Sequence, residues 1–378
     1  MRFAVDNQRP PPSPCVTLSL GVIASMEQHG PTRVDMTLRY TLADGARVFA
    51  RSADSVQIGT DEPRCVLVRD APTETAGVLA GLDGAATLAQ VLLAHDADPL
   101  LWSGLIEQLL ATDLLVAVEQ PGRGHVPAVP AAHLTDERAG LLHRYGASAA
   151  SRIMQARDDA LVVVRGRSPL AAQVATLLAA SGVGHIHHEP GRSVDWSAPD
   201  QHRASVTTTR GPQDRIAADL LRASPSVRMH PPAAHQRPTI VLVTGEPLPD
   251  LGVAASLVRS RVPHLAATVG VSRGVVGPLV LPGRSSCLSC AERRRTDADP
   301  EWPAVAGHLA DSRIGGSAFL TCIAACLAAG QLLEFIDGEV TPATVNGTVE
   351  WLAGTAEPRR RTWDVHPDCG CRSPVASR

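Results

Sequence analysis

Lysine is missing from this 378-residue chain: all 35 of its basic residues are arginine. That absence excludes every mechanism that needs a lysine side chain. No run of 18 uninterrupted apolar residues occurs either, so no membrane span is expected. The N-terminus, MRFAVDNQRPPPSPC, has prolines where the apolar stretch of a signal peptide would stand, and a cytoplasmic protein is the expectation. The net charge of −3 and a pI near 6.5 give no strong excess of either sign. Nucleic acid and anionic membrane are therefore not expected as partners. The composition, 44% apolar and 19% charged, is that of an ordinary globular protein with slightly few charges. Its length exceeds one ordinary core and suits two domains.

Residues 1–36 read as a disordered leader, or as an over-extended start, because Met36 opens the first patterned segment. From 37 to 120, the alternation in RVFARSADSVQIG and CVLVRD predicts short strands. Two short helices follow, then a longer one and a returning strand. Leu100, Leu101, Leu105, Ile106, Leu109 and Leu110 fall on one face of that longer helix. Few strands with three helices suggest a winged-helix unit of α+β type. A Pro/Gly/Ala-rich stretch at 121–134 reads as a linker.

Residues 135–372 alternate strand and helix signals, and 373–378 form a short tail. Strands are predicted at 161–165, 184–188, 239–244 and 263–269, and helices at 169–181, 212–223 and 250–261. That alternation predicts an α/β fold with a parallel, doubly wound, Rossmann-like sheet. An Ala/Leu-rich helix from Ser317 to Phe335 should pack on it.

The stretch PGRSSCLSCAERR holds Cys287 and Cys290 in C-x₂-C spacing, and HPDCGC, about 80 residues on, holds Cys369 and Cys371. Four thiolates in two close pairs match a structural Zn²⁺ site, which has no open position for water. A staple between the C-terminal tail and the loop after the sheet is expected, with His366 as a substitute ligand or, preferably, a polar neighbour. Cys322 and Cys326 stand four apart on an apolar helix, where buried small hydrophobes are the expectation.

The segment from Leu161 to Pro190 has the strand–turn–helix–strand form of a nucleotide-binding crossover. Of the glycines in a G-x-G-x-x-G frame only Gly166 remains; Ser168 and Ala171 replace the others, and Pro169 removes an amide. Ser168 and Pro169 suit an N-cap and first helical position. Glu189 is the sole acidic candidate for a ribose. A structural turn is expected, with residual nucleotide binding as the alternative.

Together the eroded loop, LAASGVGHI, RIAADLLRASPSV, and above all GVVGPLVLPGRSSCLSC with the terminal HPDCGC, resemble the ThiF/MoeB-type, ubiquitin-activating-enzyme-like superfamily over roughly 135–372. The resemblance implies ATP- and Mg²⁺-dependent adenylation of a C-terminal carboxylate, using a glycine loop, a ribose-binding Asp, an Arg, a Lys and a metal-binding Asp. This chain has no Lys, and Gly245 and Glu246 stand where the metal-binding Asp is expected. Adenylation by the usual route is not expected. Gly166, Ser168, Glu189 and Glu246 remain as remnants of a cofactor site.

Residues about 40–120 resemble the PqqD-like winged-helix peptide-recognition element. Fused ahead of an inactive ThiF-like domain, it resembles the leader-peptide-binding partner of YcaO cyclodehydratases in thiazole/oxazole-modified microcin biosynthesis. The resemblance implies capture of a ribosomal precursor peptide, presentation to a separate enzyme, and a homodimer. In physical terms, 47–70 would supply a sheet edge for an added peptide strand and 99–110 the groove wall. DNA is a poor ligand for this unit: residues 41–118 carry four arginines against eleven acids. The competing expectation is a divergent adenylyltransferase in which Glu189, Arg192 or Arg203, and Glu246 replace the lost ligands.

Overall fold

The computed structural model describes residues 16–19, 34–43, 46–60, 64–118, 132–166, 168–190, 212–233, 235–245, 248–310 and 315–372. Glu246, Arg192, Arg203 and most of the expected linker lie outside the described residues. The chain divides into two compact units, Met1–Arg152 and Ile153–Arg378.

In the first unit the strands are β1 (Val16–Ser19), β2 (Arg39–Leu42), β3 (Val48–Ser52), β4 (Ser55–Ile58) and β5 (Val66–Arg69). Then come α1 (Thr75–Gly81), β6 (Asp83–Thr87), α2 (Leu88–Ala94), α3 (Pro99–Ala111), β7 (Leu115–Val118) and α4 (Thr135–Tyr145). One sheet has the order β1-β5-β4-β3 and the other β6-β2-β7. Local chemistry fixes the helix starts. Thr87 and Gln90 form a reciprocal capping box on α2, and Asp98 accepts the Leu100 N–H ahead of Pro99 on α3. The core takes Val66 and Val68 from β5 and Trp102, Leu105, Ile106 and Leu109 from α3. Leu100, expected on that face, is 69% exposed, because the first turn lies beyond the core and Trp102 fills its place.

The expected disordered leader is corrected at Val16–Ser19, which pairs in parallel with Val66–Arg69. The prolines before it mask the signal; the Val-Thr-Leu run that follows has the β-branched and apolar residues a strand needs.

Helix α5 (Ala147–Asp159) spans the boundary between the units. The second unit continues with β8 (Leu161–Arg165), α6 (Pro169–Ala180), β9 (His185–Glu189), α7 (Pro212–Ala223), β10 (Ile240–Gly245) and α8 (Leu251–Arg259). After these come β11 (His264–Val269), β12 (Arg273–Val280), α9 (Leu288–Ala298), α10 (Trp302–Ala310), α11 (Ala318–Asp337), β13 (Gly347–Leu352) and β14 (Arg359–Thr362). The sheet order is β14-β13-β12-β11-β10-β8-β9. Strands β9, β8, β10 and β11 are parallel, whereas β12, β13 and β14 add antiparallel. The sheet is thus not parallel throughout: the link between β11 and β12 is far too short for a helical crossover, so the chain turns back as a hairpin.

Alternate residues of the parallel strands enter opposite layers. Val162, Val164, Ile240 and Leu242 face α6 and α11, while Val163, Val241 and Val243 pack with Val253 and Leu257 of α8. Helix α11 has the length and composition to cross a membrane. In the fold it packs on the sheet, burying Leu320, Ala324, Ala328 and Leu332. A buried, bidentate ion pair closes its end: Arg157 Nε and Nη2 meet Asp337 at 2.7 and 2.8 Å, and Nη1 donates to the Ser181 carbonyl.

Candidate functional site

The metal half-sites come together. Cys287 occupies the N-cap of α9 and Cys290 its first turn; Cys369 and Cys371 arrive on the tail after β14. Asn346 ties both approaches: its Oδ1 accepts the Ser286 N–H at 2.8 Å and its carbonyl accepts the Trp363 N–H at 2.9 Å. The four Sγ atoms lie within 4.8 Å of one another. Neighbouring Sγ atoms are 3.7 Å (Cys287–Cys290), 3.6 Å (Cys287–Cys369) and 3.6 Å (Cys290–Cys371) apart. A tetrahedral metal with Zn–S near 2.3 Å requires S···S edges of about 3.8 Å. The donor set fits a tetrahedral thiophilic ion.

The electrostatics agree. Burial and then the crowding of neighbouring thiols push Cys287 up to about 11 and raise Cys371 as well. Cys290 moves down: burial opposes its ionisation, but hydrogen bonds from the backbone at Cys287 and His366 outweigh it. A bound cation would favour the thiolate form of the two raised cysteines. His366 is the polar neighbour, not a ligand: Nε2 faces Asp297 at 3.0 Å and Nδ1 accepts the Asp368 N–H at 3.1 Å. Cys322 and Cys326, expected to be buried, are exposed. Their helix buries the opposite stripe, a choice that apolar periodicity does not specify.

The remnants of the nucleotide loop sit at the carboxyl ends of β8 and β9. Strand order reverses between β8 and β10, which is where open α/β sheets receive ligands. Here the turn after β8 is tied to the end of β9. The Gly166 N–H donates to the Glu189 carbonyl at 2.9 Å, and His188 Nε2 meets the Gly166 carbonyl at 2.7 Å. The Glu189 carboxylate lies 2.8 Å from Arg165 Nε, an ion pair by proximity rather than an aligned hydrogen bond. Thr244 Oγ1 donates to the Arg165 carbonyl at 3.0 Å. Gly166 has φ +137°, and a Cβ there would collide with the Thr244 hydroxyl. Packing therefore requires this glycine irrespective of phosphate. Ser168 stands at the N-cap of α6 with Pro169 first in the helix, yet its hydroxyl makes no capping bond.

No protein-family model matches the sequence, and no curated protein does. Solved structures do match. E. coli MccB with ATP aligns at TM-score 0.59 over 88% of this chain and 99% of its own, at 16% identity. E. coli MccB with AMPCPP and MccA aligns at TM-score 0.60, with the same identity and coverage. The fold is ThiF-like. PaaA aligns at TM-score 0.57 over 84% of this chain and 98% of its own, at 15% identity. At such identities the likeness establishes the fold alone.

Within this ThiF-like frame lies a feature that sequence reasoning missed. A cavity of about 380 Å³ is bounded by Thr268 and Gly270 at the end of β11, by α9, and by Trp302 and Trp363. The Arg295 guanidinium lies 5.5 Å from the Trp302 ring and 5.2 Å from the Trp363 ring. Glu292 pairs with Arg295 and accepts the Trp302 Nε1–H at 2.7 Å. Glu350 pairs with Arg361 at 2.9 Å on another wall. The chain has only five tryptophans, and two flanking an arginine-rich helix and the terminal cysteines were the available signal.

Proposed function

We propose that this protein is a zinc-stabilised, ThiF-like scaffold that captures a ribosomal precursor peptide and presents it to a separate modifying enzyme, such as a YcaO-type cyclodehydratase. The observation that carries this reading is the Gly166 amide bonded to the Glu189 carbonyl beside the Glu189–Arg165 pair. In such a loop neither the amide nor the carboxylate is free for a nucleotide. Residues 37–120 act as a PqqD-like winged-helix recognition domain, 121–134 as a linker and 135–372 as the ThiF-like domain. Solved MccB structures in complex with MccA support a peptide as the ligand. The four thiolates hold Zn²⁺ as a structural staple. The exposed stripe of Phe319, Cys322 and Cys326 on α11 supports a homodimer, since it is apolar and uncovered in one chain.

A second reading draws support from the nucleotides in solved MccB structures. In it the chain is a divergent adenylyltransferase that activates a peptide carboxylate, with Glu189, Arg192 or Arg203, and Glu246 as replacement ligands. Calorimetry with ATP–Mg²⁺ beside selection from a peptide display library separates the two. Peptide capture without nucleotide binding is expected; saturable ATP binding with ATP–pyrophosphate exchange supports the second reading.

A further inference from the structure

The cavity bounded by Trp302 and Trp363 has a sheet for its floor and a helix for its roof. Thr268 of β11 is paired with Val275 of β12, and Val275 with Glu350 of β13, so the three form a row on one face of the sheet. Opposite them, Leu288, Ala291, Glu292, Arg295 and Ala298 recur at helical spacing along one face of α9. Ala291 and Ala298 on the helix, with Ala266 and Gly277 on the sheet, are too short to meet. That leaves about 380 Å³ between the layers. Clefts of this volume with apolar walls suit small organic molecules, oriented by a few polar groups.

Two polar groups of the floor lack partners. Thr268 is 8% exposed, and its hydroxyl makes no hydrogen bond among the described residues. Glu350 is 5% exposed; Arg361 Nε stands 2.9 Å from its Oε1, but Oε2 accepts no hydrogen bond among those residues. The cations are engaged or peripheral. Arg295 lies against both tryptophan rings and pairs with Glu292, the Arg361 side chain is 42% exposed, and Arg273 is exposed at the start of β12. Glu350 is thus the one buried charge among the lining residues. An entering anion meets a carboxylate there, whereas an entering ammonium satisfies it.

We propose that this cavity binds a small, largely apolar primary amine in its protonated form. The ammonium donates to Glu350 Oε2, the apolar body lies between Val275 and Ala291, and the tryptophan rings flank it. Thr268, two strand spacings or about 10 Å from Glu350, serves a hydroxyl at the far end of the ligand. Gly166, Ser168 and Glu189 are not among the lining residues, so the site is separate from the eroded nucleotide loop.

The test is calorimetric titration of the full chain near neutral pH with phenethylamine. The probes 2-phenylethanol and 3-phenylpropionate carry the same ring with a neutral or an anionic head. Phenethylamine is expected to bind saturably, at least about tenfold more tightly than either, because only it makes a charged hydrogen bond to Glu350. Glu350→Gln keeps the side-chain shape and should lower phenethylamine affinity by about tenfold or more, leaving 2-phenylethanol unchanged. Tyramine adds a hydroxyl at the far end of the ring. It should bind the parent chain more tightly than phenethylamine, and Thr268→Val should remove that gain. Melting curves establish that each variant folds; if Glu350→Gln does not, the tyramine comparison in Thr268→Val decides. No saturable binding, equal affinity for the three heads, or preference for 3-phenylpropionate overturns the proposal. Amine binding that survives both substitutions unchanged also overturns it.

Discussion

The amide of Gly166 donates to the carbonyl of Glu189, 23 residues later, at 2.9 Å. This bond joins the turn after β8 to the end of β9 and fills the place where a phosphate-binding loop keeps its donors free. Arg165 stands against Glu189 and His188 Nε2 against the Gly166 carbonyl, while the buried Ser168 hydroxyl makes no hydrogen bond. The glycine is explained by sterics. Gly166→Ala is expected to destabilise the fold by about 1–3 kcal/mol, from a strained φ and the clash with Thr244. Urea denaturation measures it; an unchanged midpoint would show that the loop relaxes freely.

The four-cysteine cluster makes a compositional prediction. Purified protein should hold about one Zn²⁺ per chain, and Cys287→Ser with Cys369→Ser should abolish it and lower Tm. Metal analysis and calorimetric melting check this. Full metal retention in the double variant would mean that other ligands bind it.

Zinc removal should also be visible optically. Helix α9, which carries Glu292 and Arg295, starts at the cysteines, and Trp363 precedes the terminal pair. Chelation is expected to change tryptophan emission as Arg295 leaves the Trp302 and Trp363 rings. Trp363→Phe should remove part of that change.

The buried pair at the end of α11 should dominate local stability. Asp337→Ala leaves Arg157 charged and enclosed, and such losses cost about 3–5 kcal/mol. Replacement of both residues by apolar ones should restore part of it, as read from paired denaturation curves.

His264 provides a pH dependence. It is fully buried, with Nδ1 at 3.0 Å from the Val262 carbonyl, and burial lowers its pKa from 6.5. The unfolded chain therefore binds a proton that the folded chain resists. Stability from this group is complete above pH 6.5 and falls as the pH drops toward its lower folded pKa. His185 shifts the same way, chiefly by burial. His264→Phe should flatten part of the acid-side slope in denaturation series across pH.

The four-cysteine cluster was legible because thiolate chemistry and pair spacing are local properties, and the parallel strands because βαβ units repeat within about 30 residues. Other features depend on contacts that no local pattern encodes. Arg295 meets Trp363 across 68 positions, and the antiparallel extension depends on a short turn after Val269. The stripe containing Cys322 and Cys326 was recognisable as apolar, but its periodicity does not tell which face the sheet covers. Strand β1 was hidden because a four-residue run after several prolines becomes a strand only where β5 offers an edge.

The most direct test of the central claim is calorimetry of the intact, zinc-loaded chain with ATP–Mg²⁺. The account predicts no saturable binding heat and no ATP–pyrophosphate exchange, with peptides still captured by the same preparation. Stoichiometric ATP binding accompanied by exchange would contradict it.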